Sequence, residues 1–132
     1  MPRFAMFMIP GPHAYNDDVP MDPAMFEEMG AYNDQLEKAG VLLSAEGLHG
    51  PDDAVQVKFD ADRKGTIFDG PFAEAKELVG GYWMLEVGSR AEAVEWASRV
   101  PGSPGDIVEL RRVQEIEDFP QDVQAVLKDS EG

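Results

Sequence analysis

The stretch Arg3-Phe-Ala-Met-Phe-Met-Ile9 decides the class of fold, because it is apolar on both sides of a strand. Successive side chains of a strand point to opposite faces of its sheet. Here both sets are apolar, one being Phe4, Met6 and Met8 and the other Ala5, Phe7 and Ile9. The stretch Gly80-Gly-Tyr-Trp-Met-Leu-Glu-Val87 is also two-sided. Strands of this kind are covered on both faces, so we expect both to be central.

Two helices are predicted around these strands. Asp22 is an N-cap before Pro23, and Gly40 is a C-terminal stop. Between them one apolar stripe has helical spacing, formed by Met25, Met29, Tyr32, Leu36 and Ala39. The sequence Ser89-Arg-Ala-Glu92 fits a capping box at the start of a shorter helix. Its predicted inward residues are Ala93, Val94, Ala97 and Val100.

The remaining strands are predicted at Val41–Glu46, at Asp106–Val113 and in a hairpin. Val55, Val57 and Phe59 alternate with polar residues, and the chain returns as Thr66-Ile67-Phe68. The order β-α-β-hairpin-β-α-β predicts an α+β, ferredoxin-like domain over residues 1–113 with an inserted hairpin. Residues 114–132 form an acidic tail, in which we expect a short amphipathic helix.

Two helices cover one face of such a sheet, so the other face needs a second layer. The simplest second layer is the sheet of another copy, in a homodimer joined sheet to sheet.

Charge and composition exclude several classes of function. The 132 residues carry a formal net charge of −15, so phosphate backbones and anionic membranes are poor partners. The absence of Cys excludes disulfides and thiolate chemistry. The longest apolar run near the start is too short for a signal peptide or a membrane span. We therefore expect a soluble, cytoplasmic protein.

The sequence contains no motif that is typical of a cofactor or metal site. A Walker pattern, a G-x-G-x-x-G loop and a G-x-S-x-G elbow are all missing. The two histidines, His13 and His49, do not stand at metal-ligand spacing. The sequence therefore predicts neither a cofactor nor a metal site.

Asp69-Gly-Pro-Phe72 is the most unusual short motif, with an acid at the end of a strand before a flexible Gly and a rigid Pro. One interpretation makes Asp69 a general base or an orienter of a histidine. The other is an Asx-type turn.

The other candidate residues also allow both a functional and a structural interpretation. His13 and His49 could titrate near neutrality or be solvated loop residues. Tyr32 could join the site or pack in the core with a hydrogen bond. Lys76 could hold an anionic ligand or belong to a solvated helical turn, and Ser44 and Tyr82 complete the candidate ligand-binding set.

The segment Asp69-Gly-Pro-Phe-Ala-Glu-Ala-Lys-Glu-Leu-Val-Gly-Gly-Tyr-Trp83 resembles the YCII-related proteins, in the branch named for its DGPF motif. Two further stretches share the resemblance, which runs from about Phe4 to Val113: they are Tyr32-Asn-Asp-Gln-Leu-Glu-Lys-Ala-Gly-Val-Leu-Leu43 and Glu46-Gly-Leu-His49. It implies a dimeric α+β barrel and a site whose Asp matches Asp69. The family's site histidine lies on the first helix, which has none here. His49, His13 or Tyr32 would take its place.

Two functions remain open at this point. One is a small-molecule enzyme that uses Asp69 as acid or base in an apolar pocket lined by Tyr82, Met84 and Met8. The other is a non-catalytic ligand-binding or regulatory protein. By resemblance, its protein partner would be an extracytoplasmic-function sigma factor.

Overall fold

The computed structural model describes residues 1–11, 21–70 and 78–131 of the chain. Within these ranges six strands and three helices follow one another, with short 3₁₀ turns at Pro51–Asp53 and Ile116–Asp118. In chain order they are β1 (Arg3–Ile9), α1 (Pro23–Lys38), β2 (Leu42–Gly47), β3 (Val55–Phe59), β4 (Gly65–Asp69), β5 (Gly81–Glu86), α2 (Arg90–Ser98), β6 (Ile107–Arg112) and α3 (Gln121–Glu131). The predicted elements are all present, with ends shifted by one or two residues.

Four of the strands form one sheet in the order β2-β5-β1-β6, and every neighbouring pair is antiparallel. The two strands with two-sided apolar patterns, β1 and β5, occupy its centre. This is the α+β, ferredoxin-like order, and it confirms the predicted fold class. Strands β3 and β4 pair only with each other, as a separate hairpin. The described strands make an open sheet, so no barrel closes within this part of the chain.

The helix ends follow their capping residues. The Asp22 carboxylate accepts a hydrogen bond of 3.0 Å from the N–H of Ala24, and Gly40 has a φ of +73°. At α2 the Ser89 hydroxyl accepts from the N–H of Glu92, as predicted. The Glu92 carboxylate, however, accepts from the N–H of Gly88 and not from that of Ser89. The predicted capping box is therefore half formed, with its second bond displaced by one residue.

The inward stripe of α2 also differs from the prediction at one residue. Val94 is 41% exposed, while Trp96 packs against the core. The reason is helical spacing, because Ala93, Trp96, Ala97 and Val100 lie at i, i+3, i+4 and i+7 and form one face.

The core lies on one side of the sheet only. Phe4, Met6, Trp83 and Leu85 point from β1 and β5 toward both helices, as part of a buried cluster completed by Tyr32, Leu36, Val41, Val87 and Ala93. The opposite side of β1, β5 and β6, which we call the open face, presents Ala5, Phe7, Ile9, Tyr82, Met84 and Ile107, and the ion pair of Glu109 and Arg111 lies at its β6 edge. Among the six apolar residues Ile107 is 56% exposed, and the other five are only partly buried. The described chain therefore covers one sheet face.

None of the helices in the described ranges combines the length and the apolar composition needed to cross a membrane.

Candidate functional site

Tyr32 lies on the buried side of α1, between two tryptophans. Its ring centroid lies 6.0 Å from that of Trp83 and 6.3 Å from that of Trp96, and both contacts are edge to face. Its hydroxyl donates a 2.7 Å hydrogen bond to the Trp96 carbonyl. Burial raises the pKa of Tyr32 to about 12. A phenol that keeps its proton at neutral pH cannot accept one, and this one already has a partner.

Asp69 is the last residue of β4, where it stands opposite Val55. Its side chain is exposed. The next residue, Gly70, donates its N–H to the carbonyl of Ala54, which closes the base of the hairpin. The carboxylate therefore lies at the base of the hairpin, in contact with water.

His49 follows β2 and is also on the surface. Its Nδ1 lies 3.8 Å from the Asp53 carboxylate, and the side chain is 88% exposed. Within the described part of the chain, no hydrogen bond or ion pair joins Asp69 to His49 or to Tyr32. The three predicted catalytic residues therefore lie in three settings: a hairpin base, a surface turn and the core.

The predicted ligand-binding residues lie partly within the described ranges. Ser44 is exposed on β2, where it pairs with Met84, and Tyr82 is half-buried on β5 opposite Phe7. His13 and Lys76 fall outside the described residues.

An inner cavity of about 230 Å³ lies between α1 and the sheet. Its apolar lining includes Met8, Met29 and Trp83, and the polar groups at its edge include Asn33 and Glu46. The Asn33 side-chain oxygen accepts a 2.8 Å hydrogen bond from the indole N–H of Trp83, which fixes the ring. Of the four residues predicted to share a pocket, Met8 and Tyr82 line this cavity. Met84 and Asp69 are not among its described lining residues.

The inner cavity opens at the end of the sheet where β1 finishes and β5 begins. The Gly80 N–H donates to the carbonyl of Met8, and the Leu48 N–H donates to the carbonyl of Gly80. At the same end, the Asp106 carboxylate accepts hydrogen bonds of 2.8 Å from the N–H groups of Gly11 and Ser103. Asp106 therefore ties the end of β1 to the start of β6. Sequence patterns gave no signal for Asp106 or Asn33, because each role depends on a partner far away along the chain.

A second cavity, wide and shallow, of about 940 Å³, lies at the other end of the sheet beside α2. Its lining has an apolar floor, which includes Phe4 and Leu110, and several charged side chains. Arg3 donates two hydrogen bonds to Glu115 across it. This bidentate bond lowers the pKa of Glu115 and raises that of Arg3. The cavity's charges are thus largely engaged with one another.

In the described ranges no group of three or more metal-binding side chains clusters together.

Comparison with known proteins gives one positive result. The model of the YCII-related domain matches residues 3–117. No curated protein matches the chain. Because the family model covers most of the 132 residues, the chain belongs to the YCII-related domain family.

Proposed function

We propose that this protein binds a small organic molecule in the inner cavity and acts on it, with Asp69 as general acid or base. The observation that carries the proposal is the composition of the cavity wall. Met8, Met29 and Trp83 offer an apolar surface, while the Asn33 amide offers a polar contact at its edge. Small-molecule sites typically combine an apolar wall with a few convergent polar groups.

The size of the cavity limits the ligand. At about 230 Å³ it lies a little below the ~300 Å³ at which drug-sized sites begin. A single substituted ring or a short branched chain matches this volume. Methionine side chains adapt to ligands of different shape, so we expect the cavity to accept small apolar molecules of several shapes.

Asp69 is the proposed acid or base because of its position along the chain. The hairpin base at Ala54 and Gly70 connects to the rim of the cavity through residues 48–53 on one side and 71–79 on the other. Its motif Asp69-Gly-Pro-Phe72 also supports the DGPF branch of the family. An exposed carboxylate at such a base can exchange protons with a ligand that enters from the rim.

Ligand binding is tested with 4-nitrophenol, whose absorption overlaps tryptophan emission. Saturable quenching of Trp83 is expected in the wild-type protein. Ala45→Leu fills the cavity, because Ala45 lines it and pairs with Trp83. We expect this variant to weaken binding at least tenfold, whereas Ala31→Leu, at an exposed site on α1, leaves it unchanged. Equal binding by both variants would contradict the proposal.

The reaction is tested with Asp69→Asn. Wild-type protein is incubated with a mixture of small metabolites, and mass spectrometry follows which compounds disappear and which appear. We expect the Asp69→Asn protein to lose this turnover and to keep 4-nitrophenol binding. Full turnover by this variant would show that Asp69 is not the acid or base.

The proposed active form is a homodimer joined through the open face. An apolar sheet face of this kind is rarely left in water, and a two-fold axis lets each copy cover the other. Sedimentation velocity at micromolar concentration is expected to give twice the chain mass of 14.5 kDa. A sharp boundary at the mass of one chain would contradict it.

A regulatory role is a second candidate, favoured by the surface of α3. Val126 is 66% exposed there, next to the acidic residues of the tail. Such a helix fits a basic protein partner, for which an extracytoplasmic-function sigma factor is the proposed example. Binding of a purified sigma factor that survives in Ala45→Leu and is lost on removal of residues 119–132 would favour this role over catalysis.

A further inference from the structure

The hairpin of β3, β4 and their turn, residues 55–69, has an apolar face that residues 1–11, 21–70 and 78–131 leave exposed. We call this segment the hairpin arm. In its register Val57 pairs with Ile67, and Val55 and Phe59 flank that pair on the same face. These four side chains are 58% (Val55), 49% (Val57), 73% (Phe59) and 69% (Ile67) exposed. Isolated exposed apolar residues are ordinary, but a contiguous patch marks an interaction surface.

The hairpin arm has little support from its own chain. It forms a two-stranded sheet separate from the four-stranded one, and the bond from Gly70 N–H to the Ala54 carbonyl closes the hairpin on itself. A lone two-stranded hairpin is marginal in water. Its turn is nevertheless well built, because the Asp60 carboxylate accepts from the N–H groups of Asp62 and Lys64. The hairpin arm is therefore an ordered element whose apolar face has no cover among the described residues.

Charge favours a second copy of this chain as that partner. Within the hairpin arm, Lys58, Arg63 and Lys64 balance three aspartates, so the net charge of −15 lies wholly outside it. Two bodies with this charge repel each other. The neutral hairpin arm, with its cations near the turn, is the part of one copy that can approach the acidic body of another.

The area of the open face also favours a second copy of the chain as the partner. Its three strands, about 4.8 Å apart and about six residues long, span roughly 14 by 20 Å, or roughly 300 Å² of flat surface. A stable specific interface buries about 800 Å² of each partner. The open face alone falls short of this area, and the apolar face of the hairpin arm would add to it.

From these observations we infer that each hairpin arm packs its Val57 and Ile67 face against a second copy of the chain, beside the sheet-to-sheet contact. This inference rests on the proposed homodimer. It adds that the dimer needs the hairpin arms as well as the open faces. Asp69 pairs with Val55 at the base of the same face, so assembly would also bring this carboxylate to the edge of the interface.

The test compares the dissociation constants of the dimer for two variants. Both add one lysine to β3, but on opposite faces of the strand. Val57→Lys places a charge on the apolar face, whereas Gln56→Lys places it on the opposite face of the same strand. Sedimentation equilibrium is expected to show at least a tenfold weaker dimer for Val57→Lys and an unchanged one for Gln56→Lys. Trp83 and Trp96 lie in the core, away from β3, so their emission checks that the body remains folded.

Each outcome decides the inference. A wild-type dimer that Val57→Lys leaves intact overturns the role of the hairpin arm and keeps the homodimer. A wild-type monomer overturns both. If Val57→Lys does not fold, hydrogen exchange of the wild-type chain replaces it. Protection of the Lys58 and Thr66 amides, which face each other across the hairpin, that rises with protein concentration supports the inference, and concentration-independent exchange overturns it.

Discussion

Single hydrogen bonds hold the centre of the molecule together. The Tyr32 hydroxyl reaches across from α1 to the Trp96 carbonyl in α2, and the Asn33 side chain fixes the indole of Trp83. Both bonds join residues more than forty positions apart. They orient the two aromatic rings that border the core and the inner cavity.

Tyr32→Phe is expected to lower the free energy of unfolding by about 0.5–1.5 kcal/mol, because it removes the hydrogen bond from the Tyr32 hydroxyl to the Trp96 carbonyl, which keeps its second donor, the Arg99 N–H. Urea unfolding followed by tryptophan emission measures the change. Tyr82→Phe is the control, since its half-buried hydroxyl has no partner among the described residues. Equal effects for the two variants would contradict this role of Tyr32.

The raised pKa of Tyr32 predicts a loss of stability at high pH. Burial raises this pKa from 10.0 in the unfolded chain to about 12 in the folded one. The contribution is therefore complete below pH about 10 and declines as the pH rises toward 12, by up to about 3 kcal/mol. The difference in free energy of unfolding between wild type and Tyr32→Phe, measured between pH 10 and 12, isolates this contribution. A difference that does not change with pH would contradict the assignment.

At the scale of elements, the features that depend on neighbouring residues were predicted correctly. The features that depend on residues far away along the chain were not. The caps at Asp22 and Ser89 and the two-sided patterns of β1 and β5 depend on neighbouring residues, so the sequence carries them directly. The displaced bond of Glu92 and the inward Trp96 depend on how α2 sits on the sheet. The inner cavity depends on α1 packing over β5, which explains why Asn33 escaped prediction while Met8, Met29 and Tyr82 did not.

Ser89→Ala is expected to destabilise the protein by about 1 kcal/mol, the usual effect of removing a helix N-cap. Ser98→Ala, at the other end of α2, is the control, because its exposed hydroxyl donates only to the Val94 carbonyl within the helix. Thermal unfolding compares the two. A Ser98→Ala protein as destabilised as Ser89→Ala would mean that the cap is not what stabilises α2.

For the whole molecule, the chief feature is that a sheet apolar on both faces has helices on one. The sequence predicted this from Phe7 and Met84 on one side and Met6 and Leu85 on the other. The open face and the hairpin arm lie outside the core, and the charge of −15 is spread over the remaining surface. The proposed dimer follows from these three facts together.

Phe7→Lys is expected to convert the dimer to a folded monomer, because it places a charge at the middle of the open face. In a single chain this position is only half-buried, so the fold tolerates the change. Light scattering coupled to size exclusion measures the mass. Gln35→Lys, exposed on α1, should remain dimeric, and a dimeric Phe7→Lys protein would contradict the sheet-to-sheet arrangement.

The central claim is that the inner cavity beside Trp83 holds a small organic molecule. Native mass spectrometry of protein purified without added ligand tests it most directly, with denaturation to release what is bound. The account predicts one small apolar compound on the wild-type chain and on Ala31→Leu, and none on Ala45→Leu. The same compound at the same occupancy on Ala45→Leu, or no compound on any of the three, would contradict it.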